Sequence, residues 1–270
     1  MRRSTALAAL GFTSDPFAKE IGDAELWMPP SKEEVVLGLM DAADNHECAL
    51  LAGDPGVGKT CVLRALRHRL PSSQYRLTYC HNATLGKRDF YRQLCLALGL
   101  SPSATAAAVF YAVSTHVQQL SQERLHPVFL LDEAHLLHPD TLDHLHILLN
   151  YEWDSKALLS LFLVGLPDLV DRLGLRRNRS LLSRIQHRFV LGPLVVDDTA
   201  DYLRFRLRAA GCERDLFAST AVTMLHERAS GTLRDIDRIA NAALGETARR
   251  KAKTVDIDAM QRAIAAEGHA

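Results

Sequence analysis

The sequence lacks any long hydrophobic run, and no apolar stretch among its 270 residues approaches the roughly 20 residues needed to span a bilayer. The N-terminus carries Arg2 and Arg3 before the short apolar segment Ala6–Leu10, but no small-residue cleavage site follows it. A secretory signal peptide and a membrane anchor are therefore not expected. We predict a cytoplasmic protein without a membrane partner.

The sequence also lacks a net charge and any cluster of cysteines. Lys+Arg and Asp+Glu both number 32, so the formal net charge is zero and gives no evidence for a nucleic-acid partner, although local patches can still bind phosphate. The five cysteines are scattered, and no pair has the spacing of a metal or redox site. We expect reduced thiols.

Short apolar runs alternate with segments of helical periodicity over the first two thirds of the chain. Val128–Leu131, for example, is continuously apolar, as in a strand buried on both faces of a parallel sheet. This alternation predicts an α/β fold with three layers, in which helices cover both faces of a five-stranded parallel sheet. The predicted strands are 48–52, 75–80, 128–131, 158–164 and 187–191, and the helices between them are 60–70, 88–98, 109–122 and 141–151.

The pattern changes after Gly192-Pro193, because only helical spacing follows. We therefore predict two domains, an αβα core over residues 1–195 and a small all-helical domain over residues 196–270. The helices predicted in the second domain are 198–210, 215–229, 232–250 and 255–266.

A glycine-rich motif lies between the first predicted strand and the helix after it. It has the P-loop pattern of Gly, four residues and Gly-Lys-Thr, in which glycines let backbone N–H groups approach phosphates and the helix N-terminus adds a positive dipole. Lys59 is expected to reach the β- and γ-phosphates of ATP, and the Thr60 hydroxyl to ligate Mg²⁺. The predicted nucleotide-binding residues are Gly53, Asp54, Pro55, Gly56, Val57, Gly58, Lys59, Thr60 and Cys61.

Two acidic residues follow the apolar strand Val128–Leu131. Carboxylates at the carboxyl ends of parallel strands lie where active sites of such folds are found. Asp132 suits Mg²⁺ coordination, and Glu133 suits polarising the attacking water. Asp132-Glu133-Ala134-His135 also spells a helicase signature, but those enzymes need two core lobes, so we assign no chemical role to His135.

Taken in order, these motifs resemble those of AAA+ ATPases of the ExeA-like group, which includes ATPases encoded beside DDE transposases and related to the TnsC, TniB and MuB transposition regulators. The resemblance covers nearly the whole chain. The segments that carry it are Gly11–Phe17, Leu131–Leu137, Leu163–Leu169, Leu182–Ile185 and Gly231–Arg234.

The resemblance implies further site residues. Arg184 is similar in position to the arginine finger that reaches the γ-phosphate bound by a neighbouring subunit, and Arg234 to the sensor-2 arginine of the lid. Arg184 lies among other arginines between 172 and 188, which could equally form a solvated basic face or contact DNA phosphates. The N-terminal segment up to Pro30 would cover the adenine, with Phe12, Phe17 and Ile21 as candidates or as ordinary packing residues.

One residue departs from the group. Leu166 stands where the sensor-1 segment usually has a polar residue, and leucine cannot position a water by hydrogen bonding. Hydrolysis is therefore expected to be slow, unless another group supplies that contact.

The resemblance implies a transposition regulator that assembles head to tail on duplex DNA in the presence of ATP, without sequence preference, and recruits a DDE transposase. A secretion-accessory ATPase with a protein partner, or a nucleotide-gated scaffold without useful turnover, remain as alternatives. The secretion proteins carry a membrane segment and a cell-wall-binding module after the ATPase, whereas this sequence ends after the predicted lid, so the transposition branch is the expected one. Basic clusters at 64–69, 172–188 and 249–253 are candidate phosphate contacts or solvated helix faces.

Overall fold

A computed structural model describes residues 10–81, 86–101 and 106–267. The chain divides into two compact units. The sheet unit contains residues 30–54 and 59–191, and the helical unit contains residues up to 29, residues 55–58 and residues from 192 onward. Residues 1–9 of the predicted N-terminal segment and 268–270 of the predicted lid lie outside the described residues.

The sheet unit is built on five parallel strands in the spatial order β2-β3-β4-β1-β5. The three inner strands are buried at every position, whereas the edge strands β2 and β5 alternate in exposure, because each has a neighbour on one side only. The predicted α/β fold with a five-stranded parallel sheet is confirmed. The strands are β1 Cys48–Gly53, β2 Tyr75–Cys80, β3 His126–Leu131, β4 Ser160–Gly165 and β5 Ile185–Leu191.

Helices surround this sheet, and the sequence analysis missed the first of them. Pro30–Asp44 forms a helix whose Val36 and Leu39 are buried, and a Cβ added at Gly38 would lie 2.6 Å from the Phe189 ring, so this helix needs a glycine to pack on β5. The helices of the sheet unit are α1 Pro30–Asp44, α2 Lys59–Arg69, α3 Lys87–Ala97, α4 Ala106–Gln122, α5 Pro139–Leu148, α6 Asp168–Gly174 and α7 Arg179–Leu182.

Because the strands are parallel, the sheet has two chemically different edges. The carboxyl edge is where β1, β3 and β4 end, at Gly53, Leu131 and Gly165. The amino edge is where the strands begin. A strand of six residues separates the edges by about 20 Å at about 3.3 Å per residue.

The helical unit contains the four helices after β5 together with the N-terminal segment. Sequence analysis assigned residues 1–30 to the core, but the described part of this segment contacts the helical unit. The backbone N–H of Thr13 donates to the Ala210 carbonyl at 2.9 Å, and the buried Arg206 donates to the carbonyls of Pro16 and Ala18 at 2.6 and 2.8 Å. The helices are α8 Val196–Ala209, α9 Ser219–Ala229, α10 Leu233–Arg249 and α11 Ile257–Glu267.

Two of the candidate adenine residues are packing residues of this unit. Phe12 and Phe17 are each 6% exposed and belong to its hydrophobic core, and the Arg206 guanidinium lies over the Phe17 ring at 5.5 Å from the centroid. Ile21 is half-buried. Among the described residues, the structure contains no helix both long enough and apolar enough to cross a bilayer.

Candidate nucleotide-binding site

The phosphate loop follows β1 at the carboxyl edge. Gly56 and Gly58 have φ values of +84° and +105°, which L side chains rarely adopt, so the loop depends on glycine at both positions. A Cβ added at Gly56 would also lie 3.1 Å from the Arg234 Cβ. Val57 is buried, at 1% exposed, while Asp54 and Pro55 are exposed. This backbone matches the cradle that the motif predicts.

Lys59 and Thr60 open helix α2 immediately after the loop. The Lys59 side chain is 9% exposed, and its ammonium donates hydrogen bonds to the carbonyls of Gly53 and Asp54 at 2.7 and 3.1 Å. Thr60 is exposed and Cys61 is half-buried in the same first turn. The helix N-terminus and the ammonium therefore place positive charge at the end of β1, as phosphate binding requires.

Within the helical unit, Arg234 lies beside the phosphate-loop segment 55–58. Its backbone N–H points at the Gly56 carbonyl at 3.4 Å, and its side chain is exposed. Gly231, with φ +68°, is required just before it, because a Cβ there would lie 2.4 Å from the Leu194 carbonyl oxygen. The glycine turn thus fixes where helix α10 begins and brings Arg234 to the loop.

Asp132 follows β3 at the carboxyl edge and is 7% exposed. Its carboxylate accepts hydrogen bonds from the Glu133 backbone N–H at 2.9 Å and from the Tyr79 hydroxyl at 2.7 Å. Burial, and secondarily the bond to Asp132, raises the pKa of Tyr79, so the phenol stays protonated and donates. Sequence analysis missed Tyr79, because an aromatic residue on an exposed edge strand carries no motif.

The donor set fits Mg²⁺ that is shared with a nucleotide. The described residues contain no group of three or more His, Cys, Asp or Glu side chains that could hold a metal by themselves. Mg²⁺ is commonly held by one or two protein oxygens together with phosphate oxygens and water, and Asp132 and Thr60 supply oxygens of that kind.

Glu133 has a left-handed backbone at φ 54° and ψ 34°, which a residue with a Cβ adopts rarely. Its side chain is 48% exposed, and the His135 Nδ1 lies 3.5 Å from its Oε2. The same nitrogen lies 3.4 Å from the backbone N–H of Leu166, and a Cβ added at Gly165 would lie 3.2 Å from it. His135, to which sequence analysis gave no role, therefore lies between Glu133 and the end of β4.

Arg172 fixes the short 3₁₀ turn Ala134–Leu136 that carries His135. Its guanidinium donates to the carbonyls of His135 and Leu137, and its own carbonyl accepts from the Asn178 amide at 2.6 Å. Arg172 was one of the candidate DNA contacts. Because its donors are used inside the sheet unit, it supports Glu133 and His135 instead.

Arg184 is the predicted site residue that the structure does not bring to the phosphate loop of its own chain. It directly precedes β5, at the amino edge, whereas Lys59, Asp132 and Glu133 lie at the carboxyl edge. Its guanidinium is 23% exposed and donates to Asp154 Oδ2 at 2.6 Å and to the Ser180 carbonyl at 3.0 Å.

Comparison with known proteins agrees with the fold and the loop. Residues 42–173 match the family model described as "AAA domain". Over 237 residues, 87% of the chain, the sequence is 33% identical to "General secretion pathway protein A" of Aeromonas hydrophila. The chain spans 43% of that relative's length.

Solved structures of similar fold include two archaeal proteins and one bacterial motor. The Aeropyrum pernix ORC1 protein in complex with DNA has TM-score 0.66 and 21% identity, with 88% of this chain and 66% of that chain covered. Cdc6p from Pyrobaculum aerophilum has TM-score 0.67 and 19% identity, with coverages of 93% and 70%. The Thermotoga maritima RuvB branch migration motor has TM-score 0.61 and 18% identity, with coverages of 94% and 73%.

The fold is that of P-loop NTPases, and the phosphate loop and the acidic pair lie at its carboxyl edge. The family match and the relative support an AAA-type ATPase in particular. The predicted AAA+ character of the chain is thereby supported. These matches do not extend to the transposition regulators.

Proposed function

We propose that this chain is an AAA+ ATPase that binds ATP and Mg²⁺ between two copies and uses the nucleotide to control their assembly. The observation that carries the proposal is the position of Arg184. An arginine about 20 Å across the sheet from Lys59 and Asp132 of its own chain cannot reach a nucleotide held there, but the site of a head-to-tail neighbour can receive it. Arginine suits this role because its planar fork meets phosphate oxygens in pairs.

The remaining roles follow from the carboxyl edge. Phosphate-loop amides and Lys59 hold the phosphates, and Thr60 and Asp132 share Mg²⁺, which neutralises charge that develops during phosphoryl transfer. Glu133 accepts a proton from the attacking water. Arg234, beside Gly56, contacts phosphate from the helical unit. His135 Nδ1 accepts from the Leu166 backbone N–H and so holds the turn after Glu133 against the end of β4, which positions Glu133.

We further propose that the assembly forms on duplex DNA and recruits a DDE transposase, as a helper of transposition. Among the candidate phosphate contacts, Arg69 and Arg177 pair with Glu33 and Asp143. The unpaired arginines that support DNA binding lie close together in sequence and are exposed, with no carboxylate partner among the described residues: Arg176, Arg179 and Arg188. Contacts of this kind are independent of DNA sequence and weaken with salt.

A protein partner in secretion is the second candidate. It is favoured by the 33% identity to the Aeromonas secretion protein, which extends over 87% of this chain. In that case ATP would still control assembly, and DNA would have no effect on it.

ATPase rate and particle size, measured together, test the proposal. Wild-type protein is expected to form large particles in a non-hydrolysable ATP analogue and to turn over faster with duplex DNA. Glu133→Gln should bind ATP normally and remain assembled, with turnover reduced by about 100-fold or more. A monomer in the analogue, or rapid turnover by Glu133→Gln, would contradict the assignment.

Charge reversal separates DNA from protein partners. Arg176→Glu combined with Arg179→Glu should abolish the response to DNA and flatten its salt dependence. The matched control is Arg204→Glu combined with Arg208→Glu, since both arginines are exposed and outside the candidate clusters but have carboxylate partners in Asp201 and Glu213. Equal responses to DNA in both double variants would rule out the proposed contact, and no response in the wild type would favour the secretion candidate.

A further inference from the structure

A turn at the amino edge presents a tryptophan entirely to solvent. Trp153 is 99% exposed, the highest value among the exposed large hydrophobic residues described. The turn is closed by an isolated antiparallel bridge between Tyr151 and Lys156, and Tyr151 is itself buried. The tryptophan therefore projects from a turn whose base is fixed by the buried Tyr151.

The backbone of this turn is unusual in three successive residues. Glu152, Trp153 and Asp154 have φ values of 47°, 62° and 65°, in the left-handed region that residues with a Cβ disfavour. Local contacts hold this conformation, because Ser155 Oγ donates to the Glu152 carbonyl at 2.6 Å and Lys156 Nζ contacts the Glu152 carboxylate at 2.8 Å. Backbone strain of this kind persists where the surroundings enforce it, often at functional sites.

The turn is tied to the proposed arginine finger. Asp154 Oδ2 accepts from the Arg184 guanidinium at 2.6 Å, so the residue next to Trp153 in sequence holds Arg184. A surface that receives Arg184 therefore approaches the turn that carries Trp153.

We propose that the Trp153 turn, residues 151–156, is an anchor of the assembly interface and that its occupant is a second copy of this chain. This inference rests on the proposed function, because it deepens the interface at which Arg184 acts. Tryptophan is enriched among the residues that dominate protein interfaces, since it buries a large area with little loss of conformational freedom.

Charge favours a second copy over DNA as the occupant. The two carboxylates of the turn, Glu152 and Asp154, are balanced by Lys156 and Arg184, so the turn offers a polyanion no net attraction. On assembly, a phosphate of the next subunit's nucleotide can replace Asp154 as the partner of Arg184, because the guanidinium fork suits phosphate oxygens as well as carboxylate oxygens. A neutral turn with an aromatic tip beside one arginine fits a protein surface that carries ATP.

Assembly measured against protein concentration in a non-hydrolysable ATP analogue tests the inference. Trp153→Ala should raise the concentration needed for assembly by about tenfold or more. The control is Tyr111→Ala, which removes another exposed aromatic side chain, 72% exposed on helix α4, and should leave that concentration unchanged. In a Trp27→Phe background, which leaves Trp153 as the single tryptophan, its emission should shift to shorter wavelength on assembly.

The outcomes separate this inference from the proposed function. If the wild type assembles but Trp153→Ala assembles equally well and the emission does not move, the turn is not an anchor, while ATP-dependent assembly stands. If duplex DNA shifts the emission under conditions in which the protein stays monomeric, DNA is the occupant and the inference is overturned. If the wild type does not assemble at all, the proposed function is contradicted, and the inference that rests on it is contradicted as well.

Discussion

The two edges of the sheet differ in how their polar groups are satisfied. At the carboxyl edge, Lys59 and Asp132 are nearly buried, and their partners are backbone groups and the Tyr79 phenol. At the amino edge, Arg184 and Asp154 form a partly exposed pair beside a fully exposed tryptophan. The first arrangement is organised within one chain, and the second presents its groups outward. This difference supports the proposal that one edge holds a ligand and the other meets a neighbour.

The variant expected to have the largest effect, and so the strongest test of the difference between the two edges, is Arg184→Ala. Removing an arginine finger costs about 10³-fold or more in turnover, because transition-state charge on the phosphate is left unopposed. ATP affinity of the isolated subunit should be unchanged, since Arg184 is remote from its own phosphate loop. Steady-state turnover and nucleotide titration check both parts. Weakened ATP binding in dilute, unassembled protein would mean that the two edges are not separate.

Lys59→Ala tests the carboxyl edge alone. Loss of a buried ammonium that faces phosphates should weaken ATP binding by about 100-fold or more. Titration with a fluorescent ATP analogue measures the change, with Lys156→Ala as the control, because that lysine is exposed, pairs with Glu152 and lies at the amino edge. Normal affinity in Lys59→Ala would remove the phosphate-loop assignment.

His135 has a smaller predicted effect, because it acts through Glu133. His135→Ala should lower kcat by about tenfold and leave the KM for ATP unchanged, as expected for a residue that orients a catalytic group. His135→Gln, which restores a polar atom near the Leu166 N–H, should recover part of the rate. A change in KM without a change in kcat would instead indicate a role in nucleotide binding.

His126 at the amino edge has a predicted effect on stability and none on turnover at neutral pH. Burial, and secondarily the stacked His46, lowers the pKa of His126 to about 4, and its Nε2 lies 2.9 Å from Ser160 Oγ. Between pH 6.5 and 4 the unfolded chain therefore takes up a proton that the folded protein excludes. The free energy of unfolding should fall with pH in this window, by at most about 3 kcal/mol.

Chemical unfolding of wild type and His126→Gln between pH 6.5 and 4 measures the contribution of His126 to the free energy of unfolding. The variant should lose less stability on acidification than the wild type. Parallel pH profiles would show that His126 titrates alike in the folded and unfolded chain.

The sequence predicted what local motifs encode. Continuous apolar strands implied the parallel sheet, and the spacing of Gly53 to Thr60 implied the phosphate loop. Contacts between distant segments were not accessible in this way. Nothing in the sequence showed that Tyr79 contacts Asp132, that His135 lies beside Glu133, or that Arg172 holds the turn Ala134–Leu136. These contacts depend on which strands become neighbours.

Two other features were hidden for different reasons. Helix α1 carries its apolar residues without a recognisable motif. Its Gly38 is explained by the Phe189 ring of β5, which leaves no room for a Cβ at that position. Phe12 and Phe17 were candidates for the adenine site, yet both lie in the hydrophobic core of the helical unit and Phe17 packs under the Arg206 guanidinium, which a sequence pattern cannot show. The exposure of Trp153 likewise follows from three left-handed residues that no composition rule predicts.

Mixing two inactive variants tests the central claim most directly. Glu133→Gln and Arg184→Ala each bind ATP and should each be inactive. In a head-to-tail assembly of equal parts, about a quarter of the sites combine the intact Glu133 of one variant with the intact Arg184 of the other. The account predicts that the mixture regains turnover at about that fraction of the wild-type rate. A mixture as inactive as its components would contradict a site shared between two subunits.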